Sequence, residues 1–416
     1  MDEKNTNIAL AEEEVLTEEV ALPADSGYAA RPAKTETNLP MRMVKAVVPW
    51  KGDKPLEIIR KCVFSVSLVV AVIFTVIIIR NLNSGKENEA MYNRLFEEIG
   101  DPATFSGEFT STPDEVDEVM QQVPGIMEKY IDWYNRNDHM IGWINIPGTR
   151  MNYPVTQYRV YNDDGTVSGD NQFYLYRTFE RTHSEFGSIY AEWRFPFTPT
   201  SRPNNTVLYG HNNGDGSMFA SATRYYAYHW ANNGSIQHYL DNPLIYFDTL
   251  YEEGVYKVFA AMYVHTEENK FDDVFDYFRW RVFPDRDTFY AFIINVMDRS
   301  SFHTDVDLEY GDEILTLSTC YFPLGQNVDS RIAVFARRVR PGESIDVNLD
   351  LARLNPSPLF FAEYYRQMGG SWGGRNWDTA LVRGLCDWLE ERGSNEVPRM
   401  FVEKRAEVIS SRTDDD

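Results

Sequence analysis

Cysteine is scarce in this chain, with only Cys62, Cys320 and Cys386 among 416 residues. So few cysteines exclude a fold that depends on a framework of disulfides. Cys62 lies at the edge of a hydrophobic run, so it is a poor disulfide partner for the other two. A bridge between Cys320 and Cys386 remains an alternative, but the sequence favours a free, reactive thiol at Cys320.

Basic residues are also fewer than acidic residues in this chain. The chain has 40 Lys and Arg residues against 63 Asp and Glu residues, which gives a formal net charge of −23. Proteins that bind nucleic acid need a basic face to neutralise phosphates, so we expect no nucleic-acid partner. The excess of acid is interpreted as a solvated acidic surface.

Long hydrophobic runs are lacking except for one. Residues 62–79 contain no charged residue, proline or glycine, and their length is near the lower limit for a helix that crosses a bilayer. A cleaved signal peptide would have a shorter apolar core and a small-residue cleavage site, so we predict an uncleaved anchor. A buried core helix is disfavoured because the run has no polar face.

The flanking charges predict the orientation of this anchor in the cell membrane. Basic residues are more numerous before the run than after it, where Arg80 stands: Arg42, Lys45, Lys51, Lys54, Arg60 and Lys61. By the positive-inside rule, we expect a single-pass protein with a cytoplasmic N-terminus, and with the residues from about 81 onward outside the cell.

Composition and pattern together predict five regions. In chain order they are a largely disordered acidic cytoplasmic tail at 1–61, the transmembrane anchor at 62–79, extracellular N-terminal helices at 80–138, a catalytic domain at 139–340 and a helical C-terminal extension at 341–416. The extension is expected to pack on the outside of the catalytic domain, and a regulatory or partner-binding role is the alternative.

Within these regions the apolar spacing predicts a mostly β domain with helical insertions. The predicted strands begin at Ile141 and continue at Gly187–Trp193, Thr206–His211, Leu244–Leu250, Gly254–His265, Glu313–Cys320 and Arg331–Val339. The predicted helices are Asn88–Ile99, Thr112–Asn137 with a kink at Pro124-Gly125, Ser217–Tyr226, Asp287–Met297, Ser357–Gly369 and Asn376–Arg392.

Three residues at the ends of these strands can carry out acyl transfer. Cys320 ends one strand, His211 ends another and Arg331 begins a third. A thiolate attacks a carbonyl to form a thioester, a histidine returns a proton to the departing amine, and an arginine stabilises the oxyanion. Each residue alone is more often structural, but their joint occurrence behind a membrane anchor indicates a cysteine transpeptidase.

These residues resemble those of a known family. Thr316-Leu317-Ser318-Thr319-Cys320 matches the TLxTC signature of sortases, and Arg331 on the next strand matches their third catalytic position. Leu208–Asn213 resembles the histidine region of class B sortases, and Trp143–Thr149 resembles their opening strand. The resemblance covers about half of the chain, near residues 130–340.

The resemblance implies a closed eight-stranded sortase-type barrel with N-terminal helices, helical insertions and no metal or cofactor. Cys320 would be the nucleophile, His211 the general acid/base and Arg331 the oxyanion-stabilising and substrate-positioning residue. Substrate contacts would come from Ser318, Thr319 and Asn212. The reaction would cleave the C-terminal sorting signal of a surface protein after threonine and pass the acyl group to an amine of a cell-wall peptide precursor in a Gram-positive bacterium.

Alternatives remain open at this point. A pilin-polymerising sortase would use a lysine amine, although such enzymes typically have a lid and a second membrane segment that we do not find here. L,D-transpeptidases place their cysteine in an SxGCxR pattern, and papain-like proteases place cysteine before histidine, so both fit poorly. A non-catalytic membrane-anchored scaffold is the alternative from a different functional class.

The sequence also departs from the class B pattern at two positions. Tyr321 follows the cysteine where many members carry an acidic residue, and Glu192 stands where the family often has aspartate.

Overall fold

The computed structural model describes residues 39–101, 125–164, 166–267 and 275–370. The chain divides into two compact units, with the boundary between Ile77 and Ile78. The first contains helix α1 (Leu39–Val47) and the beginning of helix α2 (Pro55–Ile99). In this unit the Lys61 ammonium donates to the Lys45 carbonyl at 2.7 Å and forms a 2.8 Å ion pair with Asp53.

Helix α2 contains the apolar run. Among the described residues it is the one helix that is long and apolar enough to cross a membrane, and its most apolar window has no residue buried in protein. The helical conformation predicted at Asn88–Ile99 is confirmed, but these residues are the end of α2 and not a short helix, because α2 continues without interruption to Ile99. Gly85 does not break the helix, and a Cβ at this position would lie 3.2 Å from the ring of Phe186.

The second unit contains the sheet and the remaining helices. The helices are α3 (Glu128–Arg136), α4 (Gln237–Asp241), α5 (Arg286–Arg299) and α6 (Ala362–Met368). The strands are β1 (Met140–Asn145), β2 (Asn152–Thr156), β3 (Arg159–Tyr161), β4 (Val167–Gly169), β5 (Ile189–Ala191), β6 (Asn205–Tyr209), β7 (Leu244–Thr249), β8 (Val255–His265), β9 (Phe302–His303), β10 (Ile314–Cys320), β11 (Ser330–Arg338) and β12 (Arg353–Leu354).

Eight of these strands form one sheet, which confirms the prediction of a mostly β domain. Their order is β1-β2-β5-β6-β10-β11-β8-β7, and β7 pairs in turn with β1, so the sheet closes on itself. Strand β10 lies between β6, which runs parallel to it, and β11, which runs antiparallel. Six of the seven residues of β10 are buried, as expected of a central strand that is covered on both faces.

In the second unit, the end of α2 and helix α3 pack aromatic side chains against the first two strands. Trp133 of α3 meets Trp143 of β1 edge to face, with ring centroids 4.7 Å apart. Tyr92 of α2 contacts Tyr153 of β2 at 5.2 Å in the same way. These buried aromatic rings hold both helices on the sheet, since each contributes a large apolar area and a favourable ring geometry.

Helix α5 covers another part of the sheet and confirms the helix predicted at Asp287–Met297. Asp285 caps its first turn by accepting a hydrogen bond from the Thr288 amide at 2.7 Å. Its buried face includes Phe292, which contacts Phe335 of β11 at 5.9 Å.

Some predicted elements are wrong or only partly observed. Residues 217–226 form turns and a short 3₁₀ helix at Ala222–Tyr225 instead of an α-helix, because Met218 has a φ of +53° and its neighbours bond to the loop around His211. The strand at 187–193 shortens to β5, and the helix at 357–369 begins only at Ala362. Most of the helix at 112–137 and all of the helix at 376–392 lie outside the described residues.

Residues 341–370 are part of the second unit and pack on its strands. Strand β12 pairs with β9, and the Asn355 amide donates to the Ser300 carbonyl at 2.7 Å. Phe361 is 5% exposed and lies 4.7 Å from the ring of His265. This part of the extension therefore shares the hydrophobic core of the sheet.

Candidate active site

Cys320 and Arg331 are cross-strand neighbours. Cys320 is the last residue of β10, and the antiparallel register places it directly opposite Arg331 on β11. Directly opposed residues have their side chains on the same face, with Cβ atoms about 5 Å apart. The loop 321–329 connects the two strands, and the Tyr321 amide closes it by donating to the Ser330 carbonyl at 3.1 Å.

His211 reaches the same edge of the sheet from β6. This strand runs parallel to β10, with Tyr209 opposite Ser318, so the carboxyl ends of both strands lie together. On one side of the histidine, the Gly210 carbonyl accepts from the Thr319 hydroxyl at 2.8 Å. On the other side, the side-chain amide Nδ2 of Asn212 donates to the Cys320 carbonyl at 3.1 Å. The structure thus holds His211 beside the cysteine through both of its neighbours.

The Cys320 thiol is free and partly buried. Burial raises its pKa above the ordinary value, the Arg331 guanidinium opposes this by lowering it, and the Asp329 carboxylate adds to the increase. The thiol is therefore mostly protonated at neutral pH, and the arginine is the group that favours the thiolate.

The His211 imidazole is held by a backbone carbonyl. Its Nε2 lies 2.7 Å from the Leu175 oxygen, and its ring centroid lies 5.8 Å from that of Tyr176. Burial lowers the pKa of His211; the bond to Leu175 partly offsets this, and the charge of Arg331 adds to the decrease. A carbonyl oxygen only accepts, so Nε2 carries the proton and Nδ1 has the free lone pair.

The Arg331 guanidinium forms an ion pair with Asp329 and donates to the Ser330 carbonyl at 3.2 Å. Its side chain is 23% exposed, and its guanidinium carbon lies 6.0 Å from the ring of Phe322. Burial works to lower the pKa of this arginine, but Cys320 and Asp329 raise it, so the side chain stays charged. A fixed cation with access to solvent can stabilise an oxyanion.

The three residues with predicted substrate contacts differ in exposure. Asn212 is exposed, whereas Ser318 and Thr319 are buried. The Ser318 hydroxyl is 2.6 Å from that of Tyr277, and the Thr319 hydroxyl bonds to the Gly210 carbonyl. Both hydroxyls thus have partners within the protein, and substrate binding by these residues stays a prediction.

Several residues at the site were missed by sequence reasoning. They are Leu175 and Gly187 beside the histidine, Asp329 beside the arginine, and Tyr277 behind the cysteine strand. Only Asp329 carries a sequence signal, because it stands two residues before Arg331. Burial raises the pKa of Tyr277 to about 12, so its hydroxyl stays protonated. In the described parts of the chain, no group of His, Cys, Asp and Glu side chains has the arrangement of a metal site.

Comparison with known proteins gives matches to a single family. The family model described as "Sortase domain" matches residues 144–339. Sortase B of Staphylococcus aureus is 30% identical over 204 residues, which cover 49% of this chain and 72% of that protein. Sortase B of Listeria monocytogenes is 27% identical over 202 residues, which cover 47% and 68%.

Solved structures also match about half of the chain. A Staphylococcus aureus sortase B–substrate complex is 28% identical, covers 52% of this chain and 87% of its own, and has a TM-score of 0.42.

Proposed function

The chain belongs to class B of the sortase family of cysteine transpeptidases, and we propose that Cys320, His211 and Arg331 carry out its reaction. Cleavage of a C-terminal sorting signal after threonine would give a thioester on Cys320. An amine of a cell-wall peptide precursor would then take up the acyl group. The observation that carries this proposal is the pairing of Cys320 with Arg331 at the edge where His211 is held by its neighbours.

In the first half-reaction the thiolate of Cys320 attacks the carbonyl carbon of the scissile peptide bond. The carbonyl electron pair moves to oxygen, and the Arg331 guanidinium stabilises this negative charge. As the oxyanion collapses, the C–N bond breaks and the His211 imidazolium gives its proton to the departing amine. A thioester and a neutral imidazole remain.

In the second half-reaction the acceptor amine attacks the thioester carbonyl. The neutral His211 imidazole takes a proton from the attacking nitrogen, and Arg331 again stabilises the oxyanion. The C–S bond breaks, which releases an amide and regenerates the thiolate. Since each half-reaction reverses the proton movement of the other, a single histidine serves both.

The pKa directions explain how the resting site is protonated. Burial raises the pKa of Cys320 and lowers that of His211, so the thiol and imidazole are both mostly neutral near pH 7. Only a small fraction of molecules carries the reactive thiolate together with imidazolium. The charge of Arg331 increases the thiolate fraction, and this supports its assignment to the site.

The experiment is incubation of the full chain in detergent with a panel of sorting-signal peptides and amines. Mass spectrometry would detect an acyl adduct on Cys320 and the amide product. Cys320→Ala should abolish both, whereas the matched Cys62→Ala variant should keep both. Turnover by Cys320→Ala would contradict the proposal that this thiol is the nucleophile. Transfer only to a lysine side chain would redirect the proposal to pilin polymerisation.

We further propose that α2 anchors the protein in the cell membrane with the catalytic domain outside. The support is the apolar, unburied stretch of α2 and the excess of basic residues before it. In intact cells a membrane-impermeant thiol reagent should label Cys320. Labelling that requires permeabilised cells would contradict this orientation.

A further inference from the structure

The carbonyl that holds His211 belongs to a constrained backbone segment. The carbonyls on either side of Leu175 accept hydrogen bonds from within this segment: that of Tyr174 from the Ser188 amide at 3.0 Å, and that of Tyr176 from the Ser184 amide at 3.0 Å. The Leu175 carbonyl is directed instead to His211 Nε2, at 2.7 Å. Its position is therefore set by the bonds of its neighbours, and it is a preformed acceptor for the imidazole.

Gly187 makes this approach sterically allowed. Its φ is +60°, and a Cβ at this position would lie 2.4 Å from the Leu175 oxygen and 3.0 Å from His211 Cδ2. Real Cβ atoms do not approach backbone oxygens this closely, so any side chain would displace the carbonyl or the ring. A glycine is thus needed for space, in addition to its freedom at positive φ.

The strand order explains why this glycine and the histidine meet. Strand β5 runs antiparallel to β6, with Tyr190 opposite Tyr209. Gly187 stands two residues before β5 and His211 two residues after β6, so both lie at the same edge of the sheet. The meeting is fixed by the register of the pair rather than by a flexible loop.

We propose that Gly187 and Leu175 are positioning residues for His211. The Leu175 carbonyl holds the imidazole as the Nε2–H tautomer, and Gly187 leaves the space that this contact needs. Nδ1 is then the atom that exchanges the proton with the thiol and the reacting amine. This inference rests on the proposed role of His211, but the tautomer itself is a property of the resting protein. It can therefore be measured without turnover.

The test compares the full chain with Gly187→Ala and with a matched control, Gly342→Ala. Gly342 also has a positive φ, +78°, but a Cβ there would meet nothing within 4 Å. An alanine at either position is strained by the positive φ, so this backbone strain should lower the thermal unfolding temperature of both variants by a similar amount. Only Gly187→Ala places an atom against the carbonyl and the ring.

The first readout is ¹⁵N NMR of the imidazole nitrogens at pH 8, with the His211 signals assigned from their loss in His211→Gln. The wild type and Gly342→Ala should show a protonated Nε2 and an unprotonated Nδ1. Gly187→Ala should show a mixture of tautomers. The second readout is the rate of Cys320 acylation, which should fall about 10- to 100-fold in Gly187→Ala and stay near wild type in the control.

Two results would overturn the proposal. One is an Nδ1–H tautomer in the wild type, which needs no variant and so remains decisive if Gly187→Ala fails to fold. The other is a folded Gly187→Ala that matches Gly342→Ala in tautomer or in acylation rate. A failure of the proposed function would look different, since Cys320→Ala would then keep its turnover whatever the tautomer of His211.

Discussion

The charge of Arg331 should set the acidity of the Cys320 thiol, and this can be tested by replacing Arg331 with methionine. The two residues are directly opposed on β10 and β11, so their charges lie about 6 Å apart. At that separation the Coulomb energy is about 0.7 kcal/mol in water and about 3 kcal/mol at an effective dielectric constant of about 20. These limits correspond to changes of about 3-fold and about 100-fold in the thiolate fraction.

We expect the pKa of Cys320 to rise in Arg331→Met and its thiolate fraction to fall about tenfold, between these limits, because the site is partly exposed and Asp329 already offsets some of the charge. Removal of the cation disfavours the thiolate, so the pKa must rise. Asp329→Asn removes an anion and should lower the pKa by a smaller amount. Arg338→Met is the matched control, because Arg338 lies at the other end of the same strand and pairs with Glu313.

The assay is the pH dependence of alkylation of Cys320, followed on its own peptide by mass spectrometry so that the other cysteines do not interfere. Below the pKa the rate is proportional to the thiolate fraction, so alkylation at pH 7 should be about tenfold slower in Arg331→Met. A shift of the same sign in Arg331→Met and Asp329→Asn would refute the electrostatic reasoning. It would indicate that changed burial of the thiol dominates.

Three further predictions concern pH and stability. The kcat/KM of transpeptidation, plotted against pH, should follow a broad bell, because burial lowers the pKa of His211 and raises that of Cys320. Its acid limb should lie below the ordinary histidine pKa of 6.5 and its alkaline limb above the ordinary cysteine pKa of 9.0. A narrow bell between these two values would contradict this prediction. Phe361→Ala should destabilise the protein by about 3 kcal/mol in urea unfolding, since it removes a buried ring. The third prediction concerns Glu343. Burial raises the pKa of this carboxyl group, but hydrogen bonds from Arg337 and Lys257 outweigh burial and hold the pKa well below its ordinary 4.5. That stabilisation is present above pH 4.5 and is lost as the pH falls, so Glu343→Gln should be less stable than wild type at pH 7 and the gap should narrow toward pH 3.

The sequence predicted the elements that have a strong local pattern. Strands β10 and β11 were placed within one residue at nearly every end, because buried central strands are almost continuously apolar. Helix α5 was recognised from its apolar face. The apolar runs before Cys320 and after Arg331 were sufficient to predict that each residue lies at the end of a strand.

Elements that depend on tertiary contacts were not predictable in this way. The segment 217–226 has helical composition, but Asp215 accepts hydrogen bonds from the amide and hydroxyl of Ser217, which compete with a helical first turn. The Phe219 amide then bonds to the His211 carbonyl at 2.8 Å. The contacts of Leu175 with His211 and of Tyr277 with Ser318 join segments that are far apart in sequence, so no local pattern could reveal them.

The packing of the C-terminal extension bears on the proposed catalytic residues. Phe361 lies against His265 and Tyr263 at the end of β8. The register of β8 with β11 places His265 opposite Ser330, one residue before Arg331. The Ser330 hydroxyl in turn donates to the Tyr321 carbonyl at 2.6 Å, which ties together the two ends of the loop between Cys320 and Arg331.

A continuous set of packed groups therefore connects the extension to that loop. Because closely packed interiors transmit small displacements, loss of the ring at Phe361 removes support from the strand end that carries Arg331. We infer that the unit needed for catalysis includes residues to at least Phe361. The last strand of the sheet, β11, ends well before it, at Arg338.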